Sequence, residues 1–372
     1  MIGAMDKWWF GVGLALAAAA AQAVELQAVT VARGLANPWS LAFLPDGRLL
    51  VTERAGRLRI VEAAGRLSRP VAGLPPVAAG GQCGLLDVVT DPDFANNGRV
   101  YWSFSEPAAA GESGNGTAVA RGRLDGDTLR DVRVLFSQRP KVASSLHCGG
   151  RLVFDRQGHL FLTLGDRFSR KDDAQGLDTH LGKIVRIDTE GRVPADNPFV
   201  GRAGALPEIW SLGHRNVQGA ALHPHTGELW INEHGPQGGD EINVVEAGRN
   251  YGWPLLTFGR NYGSGTRIGE PGPKAGFEQP LKTWVPVSIA PSGMAFLTSD
   301  RYPGWKGSLF LGALRGEALV RLSLDRRQVT GEERLLTHLK ERIRDVRQGP
   351  DGWLYVLTDN ADGRVIRVET TR

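Results

Sequence analysis

The chain has 372 residues, of which 41% are hydrophobic and 23% are charged, as is usual for a globular protein. Its net charge of +4 comes from arginines that are interleaved with acidic residues, so no basic block indicates nucleic-acid binding. Only two cysteines are present, which excludes a framework of several disulfides and a zinc ribbon.

The N-terminal residues 1–23 have the pattern of a secretory signal peptide. Lys7 precedes an apolar run from Trp8 to Ala21, and the small-residue sequence AQA ends at Ala23. The run is short for a bilayer-spanning helix, although an uncleaved membrane anchor is the alternative interpretation. We therefore predict a periplasmic protein without stable membrane insertion, in which residues 24–372 form a single domain.

The rest of the chain repeats one pattern six times: a turn with glycine, a short strand, a polar turn and another strand. The strands alternate apolar and polar residues, as half-buried antiparallel strands do. Six sheet-forming units predict an all-β fold, a six-bladed β-propeller, and a pair of β-sandwiches is the alternative. We expect residues 25–35 to add a strand to the last blade and close the ring. The turn glycines are Gly47, Gly98, Gly158, Gly227, Gly307 and Gly352.

Unusual polar residues occur in the loops between the repeats. Propellers bind ligands at one end of the central channel, where such loops converge. His147 stands just before a strand and could act as a general base, although a hydrogen-bonded structural histidine is the alternative. Four guanidinium groups would favour a polyanionic ligand if they converge, whereas each alone could be a solvated surface group. These arginines are Arg215, Arg315, Arg342 and Arg344.

The loop sequence EHGPQGGDEIN contains candidate metal ligands. Gly235 and Pro236 can turn their carbonyls toward a hard cation, and Asp240 and Glu241 supply carboxylates nearby. Oxygen ligands of this kind suit Ca²⁺, and an acidic turn without a metal is the alternative. A serine hydrolase is disfavoured because the chain has no G-x-S-x-G sequence.

Together these clusters resemble the soluble PQQ-dependent sugar dehydrogenases, the group of aldose sugar dehydrogenases and soluble glucose dehydrogenase. The matching sequences run in family order from Asn37 to Asp359, and they are NPWSLAFLPDGRLLVTERAGRLRIV, GQCGLLDVVTDPDF, HCGGRLVF, LGHRNVQGAALHP, EHGPQGGDEIN, NYGWP, SGMAF and RIRDVRQGPDGWLYVLTD. The resemblance implies a propeller that oxidises the C1 hydroxyl of aldoses to lactones with PQQ and Ca²⁺. It also implies an external electron acceptor such as a quinone, a cytochrome or a dye.

The resemblance further implies a role for each matching residue. His147 corresponds to the catalytic base that takes the proton from the C1 hydroxyl. Arg215 would stabilise charge that develops on the quinone oxygen. Gly235 and Pro236 correspond to the backbone ligands of a Ca²⁺ ion that also binds the cofactor. The residues that match cofactor contacts are Gln82, Arg215, Asn216, Ser288, Arg315, Arg342 and Arg344.

The chain departs from the family pattern beside the base. In the glucose-oxidising branch an Asp directly precedes the catalytic histidine, whereas Leu146 stands there in this chain. That change removes a carboxylate that could orient the imidazole or tune its pKa. Arg315 stands where the glucose branch has Lys. Because Cys83 and Cys148 each directly follow a residue of the implied site, a disulfide between them is one hypothesis and two buried thiols are the alternative.

Other functions remain open at this point. A sorbosone-type or alcohol dehydrogenase would use the same scaffold, and a non-catalytic propeller would bind a glycan or a protein. A metal-dependent lactonase would need more carboxylate or amide ligands around the axis. The sequence leaves a monomer and a homodimer open, and the stretch 258–280 is the expected sugar-contacting loop.

Overall fold

The computed structural model describes residues 24–371, and in these residues six antiparallel sheets surround one axis. This arrangement confirms the predicted six-bladed β-propeller. The described residues contain α1 (Phe94–Asn97) and two short 3₁₀ helices, Lys171–Gln175 and Thr337–Leu339. None of these helices has the length and apolar character that are needed to cross a bilayer.

The strands in residues 24–371 are short, as is usual for propeller blades. In chain order they are β1 Leu26–Leu35, β2 Pro38–Phe43, β3 Leu49–Glu53, β4 Arg57–Val61, β5 Leu85–Thr90, β6 Arg99–Pro107, β7 Asn115–Asp125, β8 Thr128–Ser137, β9 Leu152–Phe154, β10 Leu160–Thr163, β11 Lys183–Ile187, β12 Ile209–Leu212, β13 Val217–Leu222, β14 Leu229–Glu233, β15 Asp240–Val245, β16 Lys282–Trp284, β17 Pro291–Phe296, β18 Leu309–Ala313, β19 Ala318–Asp325, β20 Gln328–Leu335, β21 Ile343–Gln348, β22 Leu354–Thr358 and β23 Gly363–Thr370.

Each blade runs from an inner strand at the axis to an outer strand at the rim. Within residues 24–371, the first blade has three strands in the order β2–β3–β4, and the next four blades have four strands each. The inner strands β2, β5, β9, β13, β17 and β21 contact one another in sequence around the axis. Inner strands begin at one face of the ring, which we call the mouth, and end at the opposite face.

The last blade combines the two ends of the chain. Its strand order is β1–β23–β22–β21, so the N-terminal strand is the outer strand of the C-terminal blade. The pairing runs from Leu26 opposite Thr370 to Leu35 opposite Gly363. This confirms the predicted closure by residues 25–35. Closure in this way stabilises the ring, because the two ends of the chain are hydrogen-bonded in one sheet.

The six repeat glycines connect the inner strand of each blade to the second strand, at the face opposite the mouth. All six have positive φ angles, a conformation in which a Cβ atom would be strained. Local turn chemistry therefore explains why the repeat was visible in the sequence. The φ values of Gly47, Gly98, Gly158, Gly227, Gly307 and Gly352 are 84°, 61°, 85°, 76°, 85° and 84°.

The core lies between neighbouring blades. Trp102 of β6 is fully buried and packs with Leu50 and Leu58 of the preceding blade. Trp230 of β14 meets Phe296 of the next blade edge-to-face, with ring centroids 5.5 Å apart. Aromatic pairs of this geometry add stabilisation beyond the area that they bury. Radial packing thus holds the inner strands, and the loops that precede them, in fixed positions.

Buried charges fill the middle of the channel. Arg151 lies 4.0 Å above the ring of Trp39 and forms an ion pair with Asp345 at 2.9 Å. Arg347 bridges Asp345 at 3.0 Å and Asp87 at 2.8 Å. Each charge has an opposite charge beside it, as burial in a low-dielectric interior requires. This network separates the mouth from an apolar cavity of about 420 Å³ at the opposite face.

Candidate active site

His147 occupies the loop that enters β9 at the mouth. Its φ angle is 48°, which is uncommon for a residue with a side chain. The backbone N–H of His147 donates to Oε1 of Gln82 at 2.9 Å. A disulfide joins Cys83 to Cys148, with their Cα atoms 5.7 Å apart. The disulfide agrees with the hypothesis from the sequence, and it ties the Gln82 loop to the His147 loop.

The imidazole of His147 is oriented by a carboxylate that follows β10. Its Nδ1 atom lies 2.6 Å from Oδ1 of Asp166, and His147 is only 6% exposed. The other carboxylate oxygen, Oδ2, accepts a hydrogen bond from the indole N–H of Trp253 at 2.8 Å. The N–H of Phe168 also donates to Oδ1, at 2.7 Å. Asp166 is therefore held in place, and it fixes the plane and the tautomer of the imidazole.

The surroundings keep this pair in a defined charge state. Burial lowers the pKa of His147 below its ordinary value of 6.5; the Asp166 hydrogen bond opposes this effect, and Arg215 adds to it. Burial acts to raise the pKa of Asp166, but the hydrogen bond with His147 and the charge of Arg215 outweigh it, so that pKa is lowered. At neutral pH Asp166 is thus ionised and His147 is neutral, with its proton on Nδ1 and a lone pair on Nε2.

A cavity of about 280 Å³ opens beside the imidazole. It brings together three residues predicted from the sequence, His147, Arg215 and Pro236, with three residues of the stretch 258–280. The latter are Asn261, Tyr262 and Ile268, and the remaining lining residues are Asp166, Phe168, Lys171 and Trp253. The predicted base therefore faces a space large enough for a small polar ligand.

Arg215 and Asn216 precede β13 on the same side of the mouth. Nη1 of Arg215 donates to the carbonyl of His234 at 2.9 Å and to the carbonyl of Gly235 at 2.7 Å. Its Nε is buried and has no hydrogen-bond partner within residues 24–371. Oδ1 of Asn216 accepts from the N–H of Gly149 at 3.2 Å. Arg215 consequently carries a donor that the described protein leaves unused.

Arg342 and Arg344 converge on one carboxylate, as their alternating positions indicate. Nη2 of Arg344 lies 2.7 Å from Oδ2 of Asp359, and Nη2 of Arg342 lies 3.3 Å from the same oxygen. Burial acts to raise the pKa of Asp359, but Arg344, Arg54 and Arg342 outweigh it and lower that pKa to about 2. Nε of Arg344 is buried without a partner in the described part of the chain. The cluster thus has more positive than negative charge.

Seven predicted residues do not line the 280 Å³ cavity, and they are Gln82, Asn216, Gly235, Ser288, Arg315, Arg342 and Arg344. Gln82 is exposed and binds the backbone of His147, as described above. The hydroxyl of Ser288 donates to Oδ2 of Asp240 at 2.6 Å. Arg315 is exposed, and its backbone N–H donates to the carbonyl of Ile289 at 3.0 Å.

The loop with Gly235 and Pro236 is shaped by Asp240. Oδ1 of Asp240 accepts from the N–H of Gly235 at 3.0 Å, and Oδ2 accepts from the N–H of Ala290 at 2.9 Å. Its carboxylate thus links this loop to the strand that enters the next blade. Burial and the nearby charge of Glu233 raise the pKa of Glu241 to about 8.

Asp166 and Trp253 are lining residues of the cavity that sequence reasoning did not connect with His147. Leu146 stands where the glucose branch has a carboxylate, but His147 still has one beside it, because Asp166 contacts it from the loop that follows β10. The available signal was the position of Asp166, an acidic residue directly after a buried strand and a glycine.

Comparison with known proteins identifies the family of this chain. The family model described as glucose/sorbosone dehydrogenase matches residues 35–367. The aldose sugar dehydrogenase YliI of Escherichia coli (strain K12) is 50% identical over 339 residues, which cover 90% of each chain. The crystal structure of the soluble aldose sugar dehydrogenase from Escherichia coli in the apo-form has a TM-score of 0.89 at 47% identity, and the match covers 93% of this chain and 99% of that one.

A more distant relative was solved with its cofactor. The PQQ-bound form of the aldose sugar dehydrogenase from Streptomyces coelicolor has a TM-score of 0.76 at 30% identity, and the match covers 93% of this chain and 98% of that one. These matches confirm the resemblance that was drawn from the sequence. The chain belongs to the glucose/sorbosone dehydrogenase family, and the relatives described above are aldose sugar dehydrogenases.

Proposed function

We propose that the protein is a quinoprotein that oxidises the C1 hydroxyl of aldose sugars to lactones, with PQQ as the hydride acceptor and a Ca²⁺ ion that polarises its reactive carbonyl. The observation that carries this proposal is the buried His147–Asp166 pair, which faces a cavity of about 280 Å³ beside Arg215. The PQQ-bound relative supports the choice of cofactor.

The role of His147 follows from its tautomer. Asp166 holds the proton on Nδ1, so Nε2 offers a lone pair to the C1 hydroxyl of a sugar in the cavity. The lowered pKa of His147 keeps this lone pair available at neutral pH. As Nε2 takes the hydroxyl proton, the positive charge that forms on the ring is stabilised by the ionised Asp166.

The donor set fits a cofactor with three carboxylates. Buried Nε atoms of Arg215 and Arg344 lack partners in residues 24–371, and an unused donor of this kind is costly unless a ligand accepts from it. Arg342 and Arg344 both contact Asp359, and the guanidinium group of Arg342 can supply a further donor to a ligand at the mouth. We assign Gln82, Asn216, Ser288 and Arg315 to further cofactor contacts on the basis of the family resemblance.

The carbonyls of Gly235 and Pro236 are the proposed Ca²⁺ ligands. Pro236 lines the cavity, and the Gly235 carbonyl lies 2.7 Å from Nη1 of Arg215, so this backbone is next to the proposed quinone site. The hydrogen bond from Gly235 to Asp240 fixes the turn that presents the two carbonyls. Hard oxygen ligands of this type suit Ca²⁺.

We also propose export to the periplasm, where an external quinone, cytochrome or dye would accept the electrons. The support is the pattern of residues 1–23, which lie outside the described residues. Expression of the full chain in a Gram-negative host, fractionation and intact-mass measurement test this. Cleavage after Ala23 and recovery in the periplasmic fraction are expected, and an intact N-terminus in the membrane fraction would contradict export.

Reconstitution tests the proposed reaction. The protein is purified without cofactor and titrated with PQQ in the presence of Ca²⁺, and absorbance spectra are recorded before and after addition of D-glucose. Binding of PQQ followed by its reduction is the expected result. If PQQ binds but no aldose reduces it, the cofactor site would be supported and the proposed reaction would be overturned. A sorbosone-type or alcohol substrate would then be tested. Failure to bind PQQ would favour a non-catalytic propeller.

A further inference from the structure

Lys171 is a charged residue of the cavity wall that the proposed chemistry does not use. It is partly buried, and it lines the same cavity as His147 and Tyr262. Its ammonium group makes no hydrogen bond and no ion pair with any residue in 24–371. Its neighbour Arg170, by contrast, is paired with Asp173 at 2.5 Å. Lys171 therefore adds to the cavity wall a positive charge that forms no ion pair with a carboxylate of the described residues.

The segment that carries Lys171 is anchored on both sides. Before it, Nη2 of Arg167 donates to Oδ1 of Asn115 at 2.6 Å. After it, the buried ammonium of Lys183 donates to the carbonyl of Asp173 at 2.8 Å and to that of Ala174 at 3.1 Å. These bonds hold the 3₁₀ helix that begins at Lys171. The backbone position of Lys171 is thus fixed before any ligand binds, which reduces the ordering cost of a contact.

The charge on the cavity wall is unbalanced. Arg215 and Lys171 are two cations, and Asp166 is the acidic residue that lines the cavity. Both oxygens of Asp166 are already engaged: Oδ1 by His147 and by the N–H of Phe168 at 2.7 Å, and Oδ2 by Trp253. A ligand with a negative charge near Lys171 would therefore gain an ion pair without displacing one.

The neighbours of Lys171 suit a sugar rather than the cofactor. Phe168 and Tyr262 line this cavity and are 50% and 60% exposed, so they offer apolar ring faces to a ligand. Arg342 and Arg344, which are assigned to the cofactor carboxylates, do not line it. The wall with Lys171 thus lies on the substrate side of the site.

We propose that Lys171 is a specificity-determining residue that binds the anionic group of an acidic aldose, which is a carboxylate in a uronic acid or a phosphate in a sugar phosphate. The inference rests on the proposed function and names its substrate class. Oxidation takes place at C1 in the same way as in a neutral aldose, and the anionic group is carried by C6, outside the ring. The ammonium group then selects acidic aldoses over neutral ones.

The test compares D-glucuronate, D-glucose 6-phosphate and D-glucose as substrates of the PQQ-loaded protein. Wild type is measured beside Lys171→Gln, Lys171→Arg and the control Lys306→Gln. Lys306 is exposed at the opposite face and paired with Asp300 at 2.9 Å, so its change removes the same charge away from the mouth. The decisive quantity is the kcat/KM of each acidic sugar divided by that of glucose.

We expect this ratio to fall about 10-fold in Lys171→Gln, mainly through KM, because a charged contact to a partly exposed group is lost. Lys171→Arg should retain most of the ratio, and Lys306→Gln should not change it. A ratio that falls for glucuronate identifies a carboxylate as the preferred group, and one that falls for glucose 6-phosphate identifies a phosphate. An unchanged ratio in Lys171→Gln would overturn the proposal.

Two further measurements separate this inference from the proposed function. Titration of PQQ into the apo-protein should give the same affinity for wild type and Lys171→Gln, and a weaker affinity in the variant would make Lys171 a cofactor contact instead. If no aldose reduces PQQ in wild type, the proposed function fails, and calorimetric titration with D-glucuronate and with D-glucose 6-phosphate still tests the role of Lys171. Binding of either sugar that is lost in Lys171→Gln would support the proposal, and absence of binding of both would overturn it.

Discussion

Asp166 and His147 form a buried pair whose oxygen and Nδ1 nitrogen lie 2.6 Å apart at the mouth of the channel. The carboxylate comes from the end of β10 and the imidazole from the loop before β9, so one blade supplies both groups. Trp253, from the loop that follows β15, holds the second oxygen of Asp166 at 2.8 Å. The orientation of the imidazole therefore depends on the relative positions of two neighbouring blades.

His147→Ala is expected to lower turnover of aldoses by about 10²–10⁴-fold, since a positioned acid–base group contributes this much. Affinity for PQQ should change little, because the imidazole faces the sugar side. Steady-state kinetics with an artificial acceptor and a PQQ titration measure the two effects. His159→Ala is a matched control, because His159 also pairs with an Asp, at 3.0 Å, but in a turn at the opposite face. Equal turnover in His147→Ala and wild type would remove His147 from the mechanism.

Asp166→Asn should change both turnover and its pH dependence. In wild type, activity requires neutral His147, whose pKa lies below 6.5, so kcat/KM should fall only when the pH drops below that value. The negative charge of Asp166 acts to raise this pKa, so its removal should move the acid limb to still lower pH. Turnover at neutral pH should nevertheless fall, because the amide can donate to Nδ1 and place the proton on Nε2. An acid limb that shifts to higher pH would contradict this account.

Substitutions of Arg342 and Arg344 should distinguish an effect on PQQ binding from an effect on stability. Arg342 is 46% exposed, so Arg342→Ala should weaken PQQ binding by about 1.5–3 kcal/mol for a charged hydrogen bond while the protein stays folded. Arg344 is buried against Asp359, and its loss would leave that carboxylate without its nearest partner. Arg344→Ala should therefore also lower the denaturation midpoint. Calorimetric titration measures the affinity for PQQ, and urea unfolding measures stability. Loss of stability in Arg342→Ala but not in Arg344→Ala would contradict this prediction.

The disulfide between Cys83 and Cys148 predicts that unreduced, denatured protein contains no free thiol. The two cysteines are 65 residues apart, and the chain-entropy model gives a stabilisation of about 4 kcal/mol for a loop of this length. The double variant Cys83→Ala, Cys148→Ala should unfold at lower urea concentration by a corresponding amount. A thiol count of two in the wild-type protein would show that the bond does not form in solution.

The fold could be predicted because its signals are local. Glycine turns such as that at Gly47, followed by alternating strands, recur in each blade, and each repeat needs only its own few residues to be recognised. Residues 25–35 were assignable to the last blade because they stood before the first copy. The channel network was not predictable in this way: Arg151 and Asp345 meet only because the ring closes, and nothing in their sequence neighbourhoods pairs them.

The candidate site likewise contains residues that local sequence identifies and residues that it does not. His147 and Arg215 are recognisable from their own loops, and they do share a cavity. Asp166 was overlooked since its partner Trp253 is 87 residues away, and a lone acidic residue after a strand has many uses. Asp240 is a residue type that commonly binds metal ions, yet here it accepts hydrogen bonds from the backbone N–H groups of two loops. That role depends on how closely the two loops approach each other in the fold.

The pairing of Leu26 with Thr370 has a practical consequence for how the molecule can be attached to other objects. Both ends of the described chain leave the ring at the face with the six glycine turns. A tag, a linker to an electrode or a surface tether fused to either end would therefore hold the molecule by the face that carries no candidate site residue. The cavity beside His147 would stay open toward the bulk solution, within reach of sugar and of a diffusing electron acceptor.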